Sequence, residues 1–114
     1  MFESLSVDEF KAQFKDRNTP HLLLDVRTIE EFEEARIPGA VNIPLDELDL
    51  HIQRVAELAG DNPIVLVCRT GMRSMMGAEI LRYAGIKHTL YNLDGGTMDW
   101  AMSRLPLERG KIQG

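Results

Sequence analysis

Apolar and polar residues follow one another along the chain in short blocks, and their spacing switches between that of a strand and that of a helix. Continuous apolar runs lie at 22–24 and 64–67. Such runs are typical of strands that are covered on both faces. We therefore predict strands over residues 21–26 and 64–67, with a short strand over 40–43 and a last strand over 88–93.

Two sequence signatures mark where helices begin. Ser6 with Glu9, and Thr28 with Glu31, have the three-residue spacing of a capping box. In this arrangement the first side chain accepts a hydrogen bond from the backbone three residues later, and the acidic side chain accepts one in return. We expect a helix to begin at each of these positions.

Three further helices are predicted from apolar residues that recur every three or four positions. The first follows a proline and runs over 45–59, with Asp46 as its cap and Gly60 as its end. The second runs to about residue 84, and its apolar composition predicts that it is mostly buried. The third contains Met98 and Met102. Methionines at helical spacing, here at 72, 75, 76, 98 and 102, predict core packing more strongly than soft-metal binding.

The alternation of strands and helices predicts an α/β fold, with a mainly parallel sheet and helices on both faces. A length of 114 residues suits one domain, expected over 1–114. No apolar run approaches the roughly 20 residues that span a bilayer, and the N-terminus lacks signal-peptide features. We expect a cytoplasmic protein. The net charge of −5 argues against a nucleic-acid or membrane partner.

The chain has one cysteine, Cys68, which follows the predicted strand 64–67 and opens the segment Cys68-Arg69-Thr70-Gly71-Met72-Arg73-Ser74. A thiol between a strand end and a helix start faces unpaired backbone N–H groups and the positive end of the helix dipole. Arg69 and Arg73 add cationic charge. These influences favour the thiolate, which is the reactive form. The alternative is a small buried apolar residue, which is the commoner role of a lone cysteine.

No metal or cofactor site is predicted. The three histidines, His21, His51 and His88, are far apart and lack the spacing of metal ligands. Four glutamates at positions 30, 31, 33 and 34 lie near the start of a predicted helix. Complementarity to the helix dipole and solvation explain them better than a pair of catalytic carboxylates.

A nucleophilic sulfur inside an anion-binding loop can attack either phosphorus or sulfur, so two enzyme classes compete. One is a cysteine-dependent phosphatase or arsenate reductase, and the other is a sulfurtransferase. Only residues 69–72 separate Cys68 from Arg73, and we expect so tight a loop to be too small for a phosphoryl group. With no second cysteine, any sulfur that Cys68 acquires must leave to an external acceptor. Asp25 and Arg27 lie at the carboxyl end of another predicted strand, so we expect them at the same end of the sheet as Cys68.

These segments resemble the single-domain rhodaneses, the thiosulfate sulfurtransferase family. The matching stretches cover the chain from about residue 4 to 105, and they are Leu24-Asp25-Val26-Arg27, Glu31-Phe32, Ile37-Pro38-Gly39-Ala40-Val41-Asn42-Ile43-Pro44, Val67-Cys68-Arg69-Thr70-Gly71-Met72-Arg73-Ser74 and Asn92-Leu93-Asp94-Gly95-Gly96 through Trp100. The resemblance implies a single rhodanese domain over 1–114. It also implies a three-layer α/β/α fold with a five-stranded sheet in the order 1-5-4-2-3, with an edge strand near Ser4.

The resemblance also implies a mechanism. The Cys68 thiolate attacks the outer sulfur of thiosulfate, sulfite leaves, and the persulfide gives its outer sulfur to cyanide or to a thiol. The partners are thus a small anionic donor and a small-molecule or protein thiol. A non-catalytic sensor or binding module is the third alternative.

Roles for individual residues follow from the same resemblance. The backbone of residues 69–73, which includes Thr70, Gly71 and Met72, cradles the persulfide, while Arg69 and Arg73 hold the donor. Ser74 either donates to the sulfur or caps the next helix, and Asp25 and Arg27 either brace the loop or touch the substrate. Arg36 stands where many relatives have histidine. It either adds a fixed charge to the pocket or is an ordinary exposed arginine.

Overall fold

The protein, described over residues 1–112 by a computed structural model, is built on one five-stranded sheet. The strands are β1 (Glu3–Leu5), β2 (Leu22–Asp25), β3 (Val41–Asn42), β4 (Ile64–Val67) and β5 (Leu90–Leu93). They are ordered β1-β5-β4-β2-β3, and every neighbouring pair is parallel. This confirms the α/β class and the strand order, including the edge strand at Ser4.

Helices connect the strands. They are α1 (Val7–Phe10), α2 (Ile29–Glu34), α3 (Ile52–Ala59), α4 (Met72–Tyr83) and α5 (Gly96–Met102), together with a π-helical turn (Lys11–Lys15) that continues α1 and a 3₁₀ helix (Leu45–Leu50). Both capping boxes are confirmed, at Ser6 for α1 and at Thr28 for α2. Within residues 1–112, no helix has both the length and the apolar character needed to cross a bilayer.

The core has two parts because alternate side chains of each strand point to opposite faces of the sheet. On β4, Ile64 and Leu66 join a cluster with residues of α3 and α4, whereas Val65 and Val67 join a second cluster with residues of α1 and α5. Helices therefore cover both faces, and all four residues of β2 and of β4 are buried. The carboxyl ends of these two central strands are consequently held firmly side by side.

The predicted continuous helix over 45–59 is wrong. The segment divides at His51 into the 3₁₀ helix and α3, and Asp46 caps neither of them. A 3₁₀ helix places residues three apart on the same face. This geometry directs Leu45 and the fully buried Leu48 toward the core before α3 begins.

The prediction that α4 is mostly buried is also wrong. Its buried residues are Ser74, Gly77, Ala78 and Leu81, which form a single stripe. A Cβ atom at Gly77 would lie 2.9 Å from the Leu66 side chain, so this helix sits close against the sheet. Against the prediction of core packing, five methionines are exposed, namely Met72, Met75, Met76, Met98 and Met102.

Candidate active site

Cys68 lies directly beyond the carboxyl end of β4, in the middle of the sheet. Asp25 ends the neighbouring strand β2 and pairs in register with Val67. The predicted juxtaposition of Cys68 with Asp25 and Arg27 at one sheet edge is therefore confirmed. Only 1% of the Cys68 surface is exposed, so the sulfur lies at the bottom of its loop.

The loop after Cys68 folds back over the sulfur. The backbone N–H of Gly71 donates to Cys68 Sγ at 3.1 Å. Gly71 has a φ of +108°, a left-handed conformation that a residue with a side chain rarely adopts. It is also the N-cap of the twelve-residue helix α4, whose positive dipole end consequently faces the sulfur.

The side chain of Ser74 is within hydrogen-bonding distance of the sulfur, with 3.4 Å between Oγ and Cys68 Sγ. The same hydroxyl lies 3.2 Å from the Gly71 carbonyl oxygen and contacts Asn92 Oδ1. Ser74 does not cap α4, since that position belongs to Gly71. Of the two roles considered for Ser74, the geometry supports the contact with sulfur.

Opposing influences act on the ionisation of Cys68. Burial raises the pKa of the thiol. The hydrogen bond from the Ser74 hydroxyl and those from the backbone N–H groups of Ser74, Gly71 and Thr70 lower it by more. The net result is a pKa below the ordinary value for cysteine. Such a site stabilises a thiolate by oriented dipoles.

The backbone of α5 holds the first part of the loop. The N–H groups of Thr97 and Met98 donate to the carbonyl oxygens of Cys68 and Arg69, at 2.9 and 3.0 Å. A Cβ atom at Gly96 would lie 2.3 Å from the Cys68 carbonyl oxygen, so only glycine permits this close approach. These two hydrogen bonds satisfy the carbonyls and attach the start of the loop to α5.

Arg73 makes a two-pronged ion pair with Glu31 of α2. Its Nη1 and Nη2 donate to Glu31 Oε1 and Oε2 at 2.7 and 2.9 Å. The hydrogen bond from Arg73 lowers the pKa of Glu31 to about 2. Glu31 in turn raises the pKa of Arg73, to which the charge of Cys68 also contributes. The interpretation of Glu31 as a merely solvated, dipole-complementing residue is therefore incomplete.

Asp25 and Arg27 form a buried ion pair that supports α2. Arg27 Nε donates to both carboxylate oxygens of Asp25, and Nη2 donates to Oδ2 at 2.8 Å. The remaining Arg27 donors bind the carbonyl oxygens of Glu31 and Ala35, at the end of α2. These residues thus brace the helix that carries Glu31, and Glu31 holds Arg73.

The other predicted site residues divide into two groups. Arg69, Thr70 and Met72 lie on the exposed side of the loop. Arg36 lies elsewhere: it stacks over the Phe32 ring and donates to the Gly110 carbonyl oxygen at 2.8 Å. It therefore ties the C-terminal segment to α2 and adds no charge beside the sulfur. Within residues 1–112, no cluster of His, Cys, Asp or Glu has the arrangement of a metal site.

Three residues near the sulfur were not predicted to act there, namely Glu31, Asn92 and Gly96. All three fall within the stretches that resemble the rhodaneses, which was the available signal. No local pattern links any of them to Cys68, because each belongs to a different segment of the chain.

Comparison with known proteins agrees with this geometry. The sequence profile described as "Rhodanese-like domain" matches residues 6–103. The chain belongs to the rhodanese-like domain family.

Similar proteins include several with sulfur-related names. The chain is 39% identical to "Adenylyltransferase and sulfurtransferase MOCS3" of Drosophila sechellia, over 86% of this chain and 22% of that protein. It is 40% identical to "Putative sulfur carrier protein YrkF" of Bacillus subtilis, over 84% of this chain and 49% of that protein. A crystal structure of thiosulfate sulfurtransferase from Pseudomonas aeruginosa superimposes with a TM-score of 0.86 and 32% identity, over 98% of this chain and 21% of that one.

The rhodanese-like chain spans at most about half the length of these relatives. The likeness concerns their rhodanese-like portion and places this chain among domains found in sulfur-transfer proteins.

Proposed function

We propose that the protein is a sulfurtransferase that carries a sulfur atom on Cys68 as a persulfide. One observation carries this conclusion: the sulfur lies 3.1 Å from the Gly71 N–H, in a loop closed over it at the start of α4. This environment lowers the pKa of the Cys68 thiol in spite of its burial. The same N–H groups can stabilise the thiolate and the persulfide anion.

The transfer consists of two displacements at sulfur. The Cys68 thiolate attacks the outer sulfur of a donor such as thiosulfate. A bond forms between the two sulfurs, and the bond to the sulfonate breaks, so sulfite leaves with the electron pair. A thiolate or cyanide then attacks the outer persulfide sulfur, and Cys68 leaves as the thiolate. Neither step needs a cofactor or an external oxidant, because the electron pairs balance within each exchange.

Arg69 is the residue best placed to attract an anionic donor. Its side chain is exposed and makes no ion pair with another residue of 1–112. It lines a depression of about 360 Å³ between α2 and α5, where Met98 and Met102 form an apolar wall. Arg73, by contrast, is engaged by Glu31. We propose that Arg69 binds the sulfonate and that Arg73 contributes a fixed positive potential.

Two alternatives are less well supported. A phosphatase needs an arginine that grips the phosphoryl oxygens, whereas Arg73 is held by both oxygens of Glu31. A non-catalytic module has no need for a cysteine, yet here the thiol is present and lies under donors that favour its ionised form.

The deciding experiment is incubation of the reduced protein with thiosulfate, followed by removal of the donor and intact-mass measurement. We expect one additional sulfur atom, its loss on addition of cyanide, and release of thiocyanate. The Cys68→Ser variant, in which only the sulfur is replaced, is the control and should gain nothing. Absence of the adduct from a folded, fully reduced wild-type protein would overturn the proposal. Phosphate release from an aryl phosphate that depends on Cys68 would favour the phosphatase instead.

A further inference from the structure

Helix α4 carries a second apolar stripe on the side opposite the sheet. The buried stripe is at positions 74, 77, 78 and 81, and the second is at 72, 75, 76, 80 and 83. Met76 is 56% exposed and Tyr83 is 97% exposed. Monomeric proteins rarely expose many large apolar side chains on one face, and such a face usually marks an interaction site. The methionines contribute flexible, polarisable surface that adapts to a partner.

This stripe borders a groove of about 650 Å³ between α4 and the segment formed by the 3₁₀ helix and α3. Leu45, Ile52 and Ile80 form its floor, where they are half-buried against the core. Met76 and Tyr83 stand at its edge. Residues of helical segments line both sides of the groove, and an apolar groove of this kind is a form that receives an additional helix.

The rim of the groove is acidic. Asp46, Asp49 and Glu79 are exposed and line it, while no lysine or arginine does. Over residues 1–112, none of these three carboxylates takes part in an ion pair. An apolar floor with unpaired carboxylates around it complements a ligand with an apolar face and flanking cations.

We propose that this groove, lined by Leu45, Asp46, Asp49, Ile52, Met76, Glu79, Ile80, Tyr83 and Ala84, docks a basic amphipathic helix of a partner protein. A second copy of the chain fits less well, because a two-fold contact would oppose the same carboxylates. Nucleic acids and anionic lipids are repelled by the rim. The inference is independent of sulfur transfer, since it requires nothing of Cys68.

The test uses the full chain and a fluorescent helical peptide of leucine and lysine, about 15 residues long so that it can hold a helix. A matched peptide has glutamate in place of lysine. Anisotropy titration measures affinity, and amide shifts in nuclear magnetic resonance spectra locate the contact. We expect the lysine peptide alone to bind saturably, with shifts concentrated at 45–52 and 76–84.

Two pairs of charge reversals distinguish binding in the groove from attraction to the overall negative charge of the protein. Asp49→Lys with Glu79→Lys should weaken binding about tenfold, because two rim ion pairs are lost. Glu57→Lys with Asp61→Lys changes the net charge equally at exposed positions outside the groove and should have a much smaller effect. Equal weakening by both pairs would overturn the proposal, as would equal binding of the glutamate peptide.

Three further outcomes would also refute it. The first is that the amide shifts lie elsewhere on the surface, and the second is that binding does not saturate at millimolar peptide. The third is that sedimentation shows self-association of the chain, and that the double variant Met76→Ser with Tyr83→Ser removes it. The last result would assign the face to a second copy of the chain. Because both substituted side chains are exposed, these variants are expected to fold.

Discussion

Removal of the Ser74 hydroxyl tests whether this side chain sets the ionisation of Cys68. In the Ser74→Ala variant the sulfur loses its only hydrogen-bonding side-chain neighbour within residues 1–112, which lies 3.4 Å away. The backbone donor at Gly71 remains. Ala is a good helix former, and the change occurs in the first turn of α4, so we expect the backbone of the loop to be preserved.

The magnitude follows from the number of acceptors that compete for one proton. A hydrogen bond to a charged group contributes about 1.5–3 kcal/mol, which corresponds to about a tenfold to hundredfold change in the equilibrium between thiol and thiolate. The Ser74 hydroxyl also faces the Gly71 carbonyl oxygen and Asn92 Oδ1, so its proton is shared among three acceptors. We therefore expect the lower end of the range: the pKa of Cys68 should rise in the variant, and its alkylation rate at a pH below the midpoint should fall about tenfold.

The assay is the pH dependence of alkylation by iodoacetamide. Every alkylation event reports on Cys68, because the chain has no other cysteine. Ser103→Ala, at an exposed position that follows α5, is the matched control and should leave the midpoint unchanged. In Asn92→Ala one competing acceptor is gone, so the midpoint should stay or fall. A folded Ser74→Ala protein with the wild-type midpoint would refute this reasoning and assign the ionisation to the loop backbone alone.

Three other substitutions test the supporting structure. Glu31→Gln breaks the pair with Arg73. Because the pKa of Glu31 is lowered from 4.5 to about 2, this pair stabilises the fold above about pH 4.5 and is lost toward pH 2. The wild type should therefore melt above the variant at pH 7, and a difference that persists unchanged at pH 2 would contradict this. Gly96→Ala places a Cβ 2.3 Å from the Cys68 carbonyl oxygen and should cost at least about 2 kcal/mol in chemical denaturation and abolish persulfide formation. Gly85→Ala also has a positive φ (+98°), at the end of α4, but its Cβ would meet no atom within 4 Å. It should cost only about 1 kcal/mol and keep persulfide formation, and equal losses in the two variants would refute the steric argument. Arg36→Ala should lower the free energy of unfolding by about 1 kcal/mol and leave sulfur transfer unchanged. A large loss of sulfur transfer in the folded variant would contradict this and would show that Arg36 acts in the site.

Local patterns in the sequence were enough to place most elements. The capping boxes at Ser6 and Thr28 were predictable because both partners lie within one helical turn. The buried runs of β2 and β4 were predictable because burial on both faces requires apolar residues throughout. Cys68 stood out as the candidate nucleophile for a similar reason, since its strand, glycine turn and helix are consecutive.

Predictions from local patterns failed where a residue packs against a segment that is distant in the sequence. The apolar spacing over α4 could not say which of its two stripes faces the sheet, and Gly77 decided this through its close contact with Leu66. For the same reason, helical spacing alone could not show that Met72, Met75 and Met76 are exposed.

The fold class and the position of the candidate reactive sulfur could be predicted from the amino-acid sequence, and the strand order could be predicted from the family resemblance. The groups that surround this sulfur, by contrast, come from several segments and are known from the folded structure alone. Arg73 donates to Glu31, which is 42 positions away in the sequence, and Ser74 donates to Asn92, which is 18 positions away. Both contacts exist because β4 lies between β2 and β5 and all three strands are parallel, so their carboxyl ends lie at the same end of the sheet. Hydrogen-bond and capping preferences act over a few residues, whereas these neighbours are set by how the sheet is assembled.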